Sequence, residues 1–262
     1  MMTEESPATT KLPRVGTVLM LHGWAQNAKV FRSRSKSLTK KLNKAGYDCH
    51  FLEAPIELPI LSTITIDSQP VVISNHGALR KGAKAWFLYN REDPGDTSPM
   101  LTGKQIEYIG LEASISMVEQ QLTKFLEANE DEKIFILGFS QGAVFAHILG
   151  SYSNDQGIPP PFHRIRGLVL VSGFPATPLQ QRSIVMDSVV VENSNVVDDQ
   201  LQKIDLPSLH VIGRKDTSVP PSHSKKLYNC FVKGRKLEHE KGHLLTQQSA
   251  QCATIIQFLN EC

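Results

Sequence analysis

The stretch Ile134–Leu149, IFILGFSQGAVFAHIL, is apolar on both sides of a single interruption, Gly138-Phe-Ser-Gln-Gly142. Lys133–Leu137 reads as a buried strand, and Ala143–Leu149 as a helix apolar on nearly every face. A buried strand that runs directly into a buried helix calls for a parallel sheet covered on both faces. The serine between them either caps that helix or is lifted out of the core on a sharp turn, which small neighbours would permit.

The rest of the chain repeats the alternation. Strands are expected at Val15–Leu21, Asp48–Glu53, Gly167–Val171 and Ser208–Ile212, with a short one at Lys236–Glu240. Helices are expected at Ala28–Ala45, with Phe31, Leu38, Leu42 and Ala45 on one face, at Pro221–Phe231 and at Thr246–Leu259. Thr102-Gly-Lys-Gln105 has the pattern of a capping box opening a long helix through Leu111, Ile115, Val118, Leu122 and Phe125. Two irregular stretches, about 55–100 and 174–204, exceed ordinary connections, and the first holds one strand candidate, Ala85–Tyr89 (AWFLY). Residues 1–13 read as a disordered lead-in, and 14–262 as one α/β domain with insertions.

Composition narrows the function. A net charge of +2 provides no global field for nucleic acid, and no apolar run approaches the roughly 18 residues of a membrane span. The opening MMTEESPATTKLP is not a secretory signal, and none of the four cysteines forms a CxxC, so buried free thiols in a reducing compartment are expected. The cytoplasm is the first expectation and the nucleus the second.

In the strand–turn–helix setting, Gly-x-Ser-x-Gly makes Ser140 a candidate nucleophile and puts the backbone N–H of Gln141 at a helix N-terminus, facing a developing oxyanion. A serine hydroxyl needs a base, and in an α/β-hydrolase the acid and then the histidine follow it in the chain. Of nine histidines, only His223, His239 and His243 follow the last long strands. His223 sits beside Lys225 and Lys226 on a helix face. His243 lies just past a strand, where a base can reach Ser140, with His239 inside that strand as the alternative. Asp216 follows SLHVIG at the carboxyl end of a strand and is the candidate acid, with an Asx turn as the structural alternative. Leu21-His-Gly-Trp24 would supply the second oxyanion donor through the N–H of Trp24, or Trp24 simply packs on its loop.

These blocks, LHGWAQNAKVFRSRSKSL, the AWF of Ala85–Phe87, GFSQG, PSLHVIGRKD and Gly242-His243, resemble the FSH family of serine hydrolases, in the right order from about residue 15 onward. The resemblance implies an α/β-hydrolase fold and an esterase or thioesterase that acts on acyl substrates with neither metal nor organic cofactor. By position it assigns Ser140 as nucleophile, Asp216 as acid and His243 as base. The chain departs from the pattern at Glu240-Lys241, where the family often has Pro or a second Gly, at Trp24 for a more usual Phe, and over Ile56–Lys84, which leaves substrate choice open.

The implied partner is a small acyl ester or thioester, with no stable membrane insertion. Two other readings use the same fold: a non-catalytic small-ligand binder and a serine peptidase. One further feature bears on substrate. Lys29, Arg32, Arg34, Lys36, Lys40, Lys41 and Lys44 occur without an intervening acid, either attracting an anionic substrate or covering a solvated helix face.

Overall fold

The computed structural model describes residues 13–58, 63–66, 69–72, 81–89, 108–153, 161–176 and 203–262. The expected lead-in, apart from its last residue, the capping box at Thr102–Gln105 and most of the second insertion lie outside these residues.

In chain order the strands are β1 (Gly16–Leu21), β2 (Tyr47–Leu52), β3 (Ile56–Glu57), β4 (Thr63–Ile66), β5 (Gln69–Val72), β6 (Lys84–Ala85), β7 (Leu88–Tyr89), β8 (Tyr108–Ile109), β9 (Ile134–Phe139), β10 (Ile165–Val171), β11 (Ser208–Gly213) and β12 (Gly234–His239). The α-helices are α1 (Ala28–Arg34), α2 (Lys36–Lys44), α3 (Leu111–Ala128), α4 (Gln141–Tyr152), α5 (Pro221–Asn229) and α6 (Ser249–Glu261). Six strands form one sheet in the order β12-β11-β10-β9-β1-β2, and every pairing in it is parallel. The short strands pair antiparallel outside it, as β3–β6, β4–β5 and β7–β8.

Alternate residues of the central strands feed two cores. Leu19, Leu21, Ile136 and Leu170 face α3, α4 and Leu227 of α5. Val18, Met20, Leu137 and Val171 face Phe31, Leu38 and Leu42 of α1 and α2, and Ile255 and Phe258 of α6. Both faces are thus sealed by helices, which is why these strands are apolar throughout rather than on alternate residues. The chain reverses its direction across the sheet between β1 and β9, and their carboxyl ends stand level because Leu21 pairs with Gly138. A crevice at such a switch point is where open α/β sheets bind ligands.

Three local expectations are corrected. The helix expected over Ala28–Ala45 is two, α1 and α2, meeting at Ser35, whose buried hydroxyl donates to the Phe31 carbonyl at 2.8 Å and competes with the backbone ladder. AWFLY is not one strand but β6 and β7 separated by Trp86 and Phe87. The long helix, α3, begins at Leu111 behind the left-handed Gly110. Cys252 is buried in α6 as expected, whereas Cys49 is only half-buried in β2; burial pushes its thiol up to about 12. No helix among the described residues is long and apolar enough to cross a membrane.

Candidate active site

Ser140 stands between the last residue of β9 and the first of α4, with φ 54° and ψ −117°. A left-handed serine costs about 1–3 kcal/mol, so the fold around it must hold it there. Its N–H donates to Val171 O of β10 at 2.9 Å, and its carbonyl accepts from Ala143 and Val144 as α4 begins. The flanking glycines are required by close approach. A Cβ on Gly138 would lie 2.2 Å from Gly142 O, and one on Gly142 would lie 2.3 Å from Leu21 O. Ser140 is half-buried, and its hydroxyl makes no hydrogen bond to a described residue. The other two positive-φ residues that are not glycine, Ala25 and Ser172, follow the carboxyl ends of β1 and β10, so backbone strain among the described residues gathers on this rim.

Asp216 lies in the loop after β11, and its side chain is 1% exposed. One carboxylate oxygen, Oδ1, accepts the N–H groups of Ser218 at 3.0 Å and Val219 at 2.8 Å, which is the turn-forming role. The other, Oδ2, accepts from His243 Nδ1 at 2.8 Å. One oxygen thus makes the anticipated turn, while the other is left to His243. Burial alone would raise this carboxyl, but the His243 hydrogen bond and the Val219 N–H outweigh it and hold it below the ordinary carboxylate range.

His243 hangs between β12 and α6, and its ring centroid is 4.9 Å from that of Phe139, the residue before Ser140. With Nδ1 donating to Asp216, the neutral ring carries its lone pair on Nε2. No hydrogen bond joins His243 to Ser140 in this structure. His239 is elsewhere. It is buried at the end of β12, its Nδ1 accepts the Lys241 N–H at 3.2 Å, and burial pushes it toward the neutral form. Asp216 is thus brought together with His243 and not with His239.

Trp24 and Gln141 follow the level ends of β1 and β9, and neither backbone N–H has an acceptor among the described residues. The Trp24 side chain also packs, half-buried, against Leu58, Ala83, Ala85 and Leu88. What sequence reading missed is the Gln141 side chain. Its Oε1 accepts the Trp86 N–H at 3.0 Å and its Nε2 donates to Phe87 O at 2.7 Å, which explains why AWFLY breaks as a strand. Trp86 is tied further: its carbonyl accepts from Ser114 Oγ, its indole N–H donates to His22 O at 2.7 Å, and its ring stacks on Phe145. The only signal in the sequence was an AWF without an obvious partner.

His22 completes this frame. Its Nδ1 donates to Gly23 O at 2.9 Å and its Nε2 accepts the Ala54 N–H at 3.2 Å, so it must be neutral, as burial also favours. Among the described residues no three His, Cys, Asp or Glu side chains gather to hold a metal ion. The arrangement offers a hydroxyl on a strained turn, an imidazole oriented by a buried carboxylate, and two backbone N–H groups at one rim.

Known proteins are similar to this chain along most of its length. The esterase OVCA2 of Danio rerio is 27% identical over 250 residues, covering 92% of this chain and 95% of its own. "Family of serine hydrolases 2" of Saccharomyces cerevisiae is 26% identical over 254 residues, covering 93% and 97%. Among solved structures, esterase PE8 superposes with a TM-score of 0.57 at 19% identity, covering 96% of this chain and 94% of its own. Zea mays acyl-protein thioesterase 2 does so with 0.55 at 16% identity, covering 96% and 95%. Those likenesses establish the α/β-hydrolase fold. A family profile described as "Serine hydrolase (FSH1)" matches residues 12–255, and the chain belongs to that serine hydrolase family.

Proposed function

We propose that the protein hydrolyses carboxylic esters or thioesters of small acyl substrates through an acyl-enzyme on Ser140. The observation that carries this reading is the 2.8 Å hydrogen bond from His243 Nδ1 to the buried Asp216 carboxylate, on loops that share a rim with the strained Ser140. His243 Nε2 takes the Ser140 proton as Oγ attacks the carbonyl carbon. The negative charge that develops on the carbonyl oxygen is met by the N–H groups of Trp24 and Gln141, where removing one such donor typically costs about 3–4 kcal/mol. The tetrahedral intermediate collapses, the bond to the leaving group breaks, and His243 protonates a departing alcohol, while a thiolate leaves more readily. Water then attacks the acyl carbon, giving its proton to His243, and the acid departs as Ser140 regains its hydrogen. Asp216 holds the tautomer and stabilises the imidazolium without being protonated itself. The reaction needs no cofactor, and the cytoplasm, with the nucleus second, is the compartment we assign.

The test is labelling with a fluorophosphonate probe and mapping of the modified peptide. Label on Ser140, absent from Ser140→Ala, is the expected result. A folded protein that resists the probe would leave a non-catalytic ligand binder as the better account.

A further inference from the structure

The seven-residue basic run of the sequence is not one uniform solvated face. Arg32 lies 4.3 Å from the Phe51 ring centroid, and Lys41 donates to Ser249 Oγ at 2.9 Å, so both are engaged locally. Arg34 is different. It ends α1 at the edge of a groove of about 460 Å³ that also contains His243. That volume is within the range of small-ligand sites, roughly 300–1,000 Å³. Phe31 and Phe139 supply buried rings to the groove, and Leu244, 38% exposed, supplies an aliphatic wall. Lys241 supplies a second cation.

Neither Arg34 nor Lys241 has a carboxylate partner among the described residues. Two acids that could have paired with them are engaged elsewhere. Glu240 is bound by Arg214, and Glu53 accepts the Ala28 N–H at the far end of α1. The groove therefore combines an apolar lining with two cations that make no ion pair among the described residues, beside the imidazole that serves the reacting carbonyl. Low-dielectric walls focus such charges, so their attraction for an anion is stronger than on a flat surface.

We propose that this groove is a substrate subsite for an anionic group, a carboxylate or a phosphate, joined by an apolar spacer to the acyl carbonyl that Ser140 attacks. This rests on the hydrolase reading above and specifies its substrate. The anion has two possible origins, the acyl part or the leaving group, and matched substrates separate them. A 4-nitrophenyl half-ester of adipic acid is compared with 4-nitrophenyl hexanoate for the acyl side. Hexanoyl-coenzyme A is compared with the hexanoyl thioester of N-acetylcysteamine for the leaving side.

We expect kcat/KM to favour the anionic member of at least one pair, through KM and more strongly at low ionic strength. In Arg34→Glu/Lys241→Glu that preference should fall about tenfold, and in the Gln/Gln variant less; both positions are exposed, so the fold is retained. The identity of the affected pair names the source of the charge. Equal kcat/KM within both pairs, or a preference that survives the double charge reversal, overturns the subsite. Turnover of none of the four by wild-type protein overturns the hydrolase reading and the subsite with it.

Discussion

His243 on the rim and the pair His147–His210 inside the molecule show what environment does to one side chain. His210 is in the middle of β11 and His147 on α4, each with its ring near Phe231 and neither more than 5% exposed. Burial pushes His147 down to about 4 and, with the charge of His147 adding, His210 to about 3. Both are held as neutral hydrogen-bonding groups: His147 Nδ1 accepts the Ala176 N–H at 3.2 Å, and His210 Nε2 pairs with Ser208 Oγ at 3.0 Å. The His243 side chain is 23% exposed and has a carboxylate at 2.8 Å. A histidine that must take a proton needs that carboxylate and some access to water; sealed in apolar packing it becomes only a polar spacer.

The sharpest way to break the contrast is to remove the charge at the rim. In Asp216→Asn, the amide oxygen can still accept the Ser218 and Val219 N–H groups, so the turn survives. The amide NH₂ now faces His243 Nδ1 and favours the tautomer with its proton on Nε2, the wrong nitrogen for a base. We expect kcat on an activated ester to fall about 10³–10⁴-fold, or ~4–5.5 kcal/mol, with little change in folding. A loss below tenfold in steady-state assays would reduce Asp216 to its turn-forming oxygen.

The interior pair is tested by acid. An unfolded histidine titrates near its ordinary value, about 6.5, so between there and about 4 the unfolded chain binds the proton that buried His147 refuses. The stability associated with this difference is complete above the unfolded value and is lost as pH falls through that window, on the order of 3 kcal/mol for His147. Asn at this position keeps an acceptor near Nδ1 but does not titrate. Urea unfolding of His147→Asn should therefore show lower stability at neutral pH and a flatter decline on acidification. A slope equal to wild type would mean that His147 is not what opposes protonation. Asp216 acts in the same direction but at lower pH, since its depressed carboxyl loses its contribution only as pH drops below the usual carboxylate range.

How far such differences can be read in advance depends on whether they are local. The parallel strands, the elbow at Ser140 and the positions of Asp216 and His243 at strand ends follow from apolar runs and chain order, because each is decided within a few residues. His147 and His210 could be assigned to a helix and a strand, but their common contact with Phe231 joins elements far apart in the chain. The break at Ser35 turns on one hydroxyl preferring a carbonyl to water, which periodicity does not register. Trp86 is the clearest case. Its residues have strong β character, yet its backbone polar groups are taken by the Gln141 and Ser114 side chains, and no strand signal describes a tertiary clamp.

That clamp yields the smallest expected effect and the finest test of the contrast, because it holds a histidine of intermediate kind. His22 is on the rim but fully buried, neutral, and 5.1 Å from the Trp86 ring. Its carbonyl accepts the indole N–H, and the next residues, Gly23 and Trp24, lead to the proposed oxyanion donor. Trp86→Phe keeps most of the packing on Phe145 and leaves the His22 carbonyl without its donor, at a cost of about 1–3 kcal/mol. If the indole only fills the core, thermal stability falls and kcat does not. If it also fixes the loop, the Trp24 N–H drifts from the oxyanion and kcat falls several-fold with KM little changed, because that contact strengthens only in the transition state. We expect the second outcome, since a donor misplaced by a fraction of an ångström loses part of a hydrogen bond that the rest of the rim cannot replace.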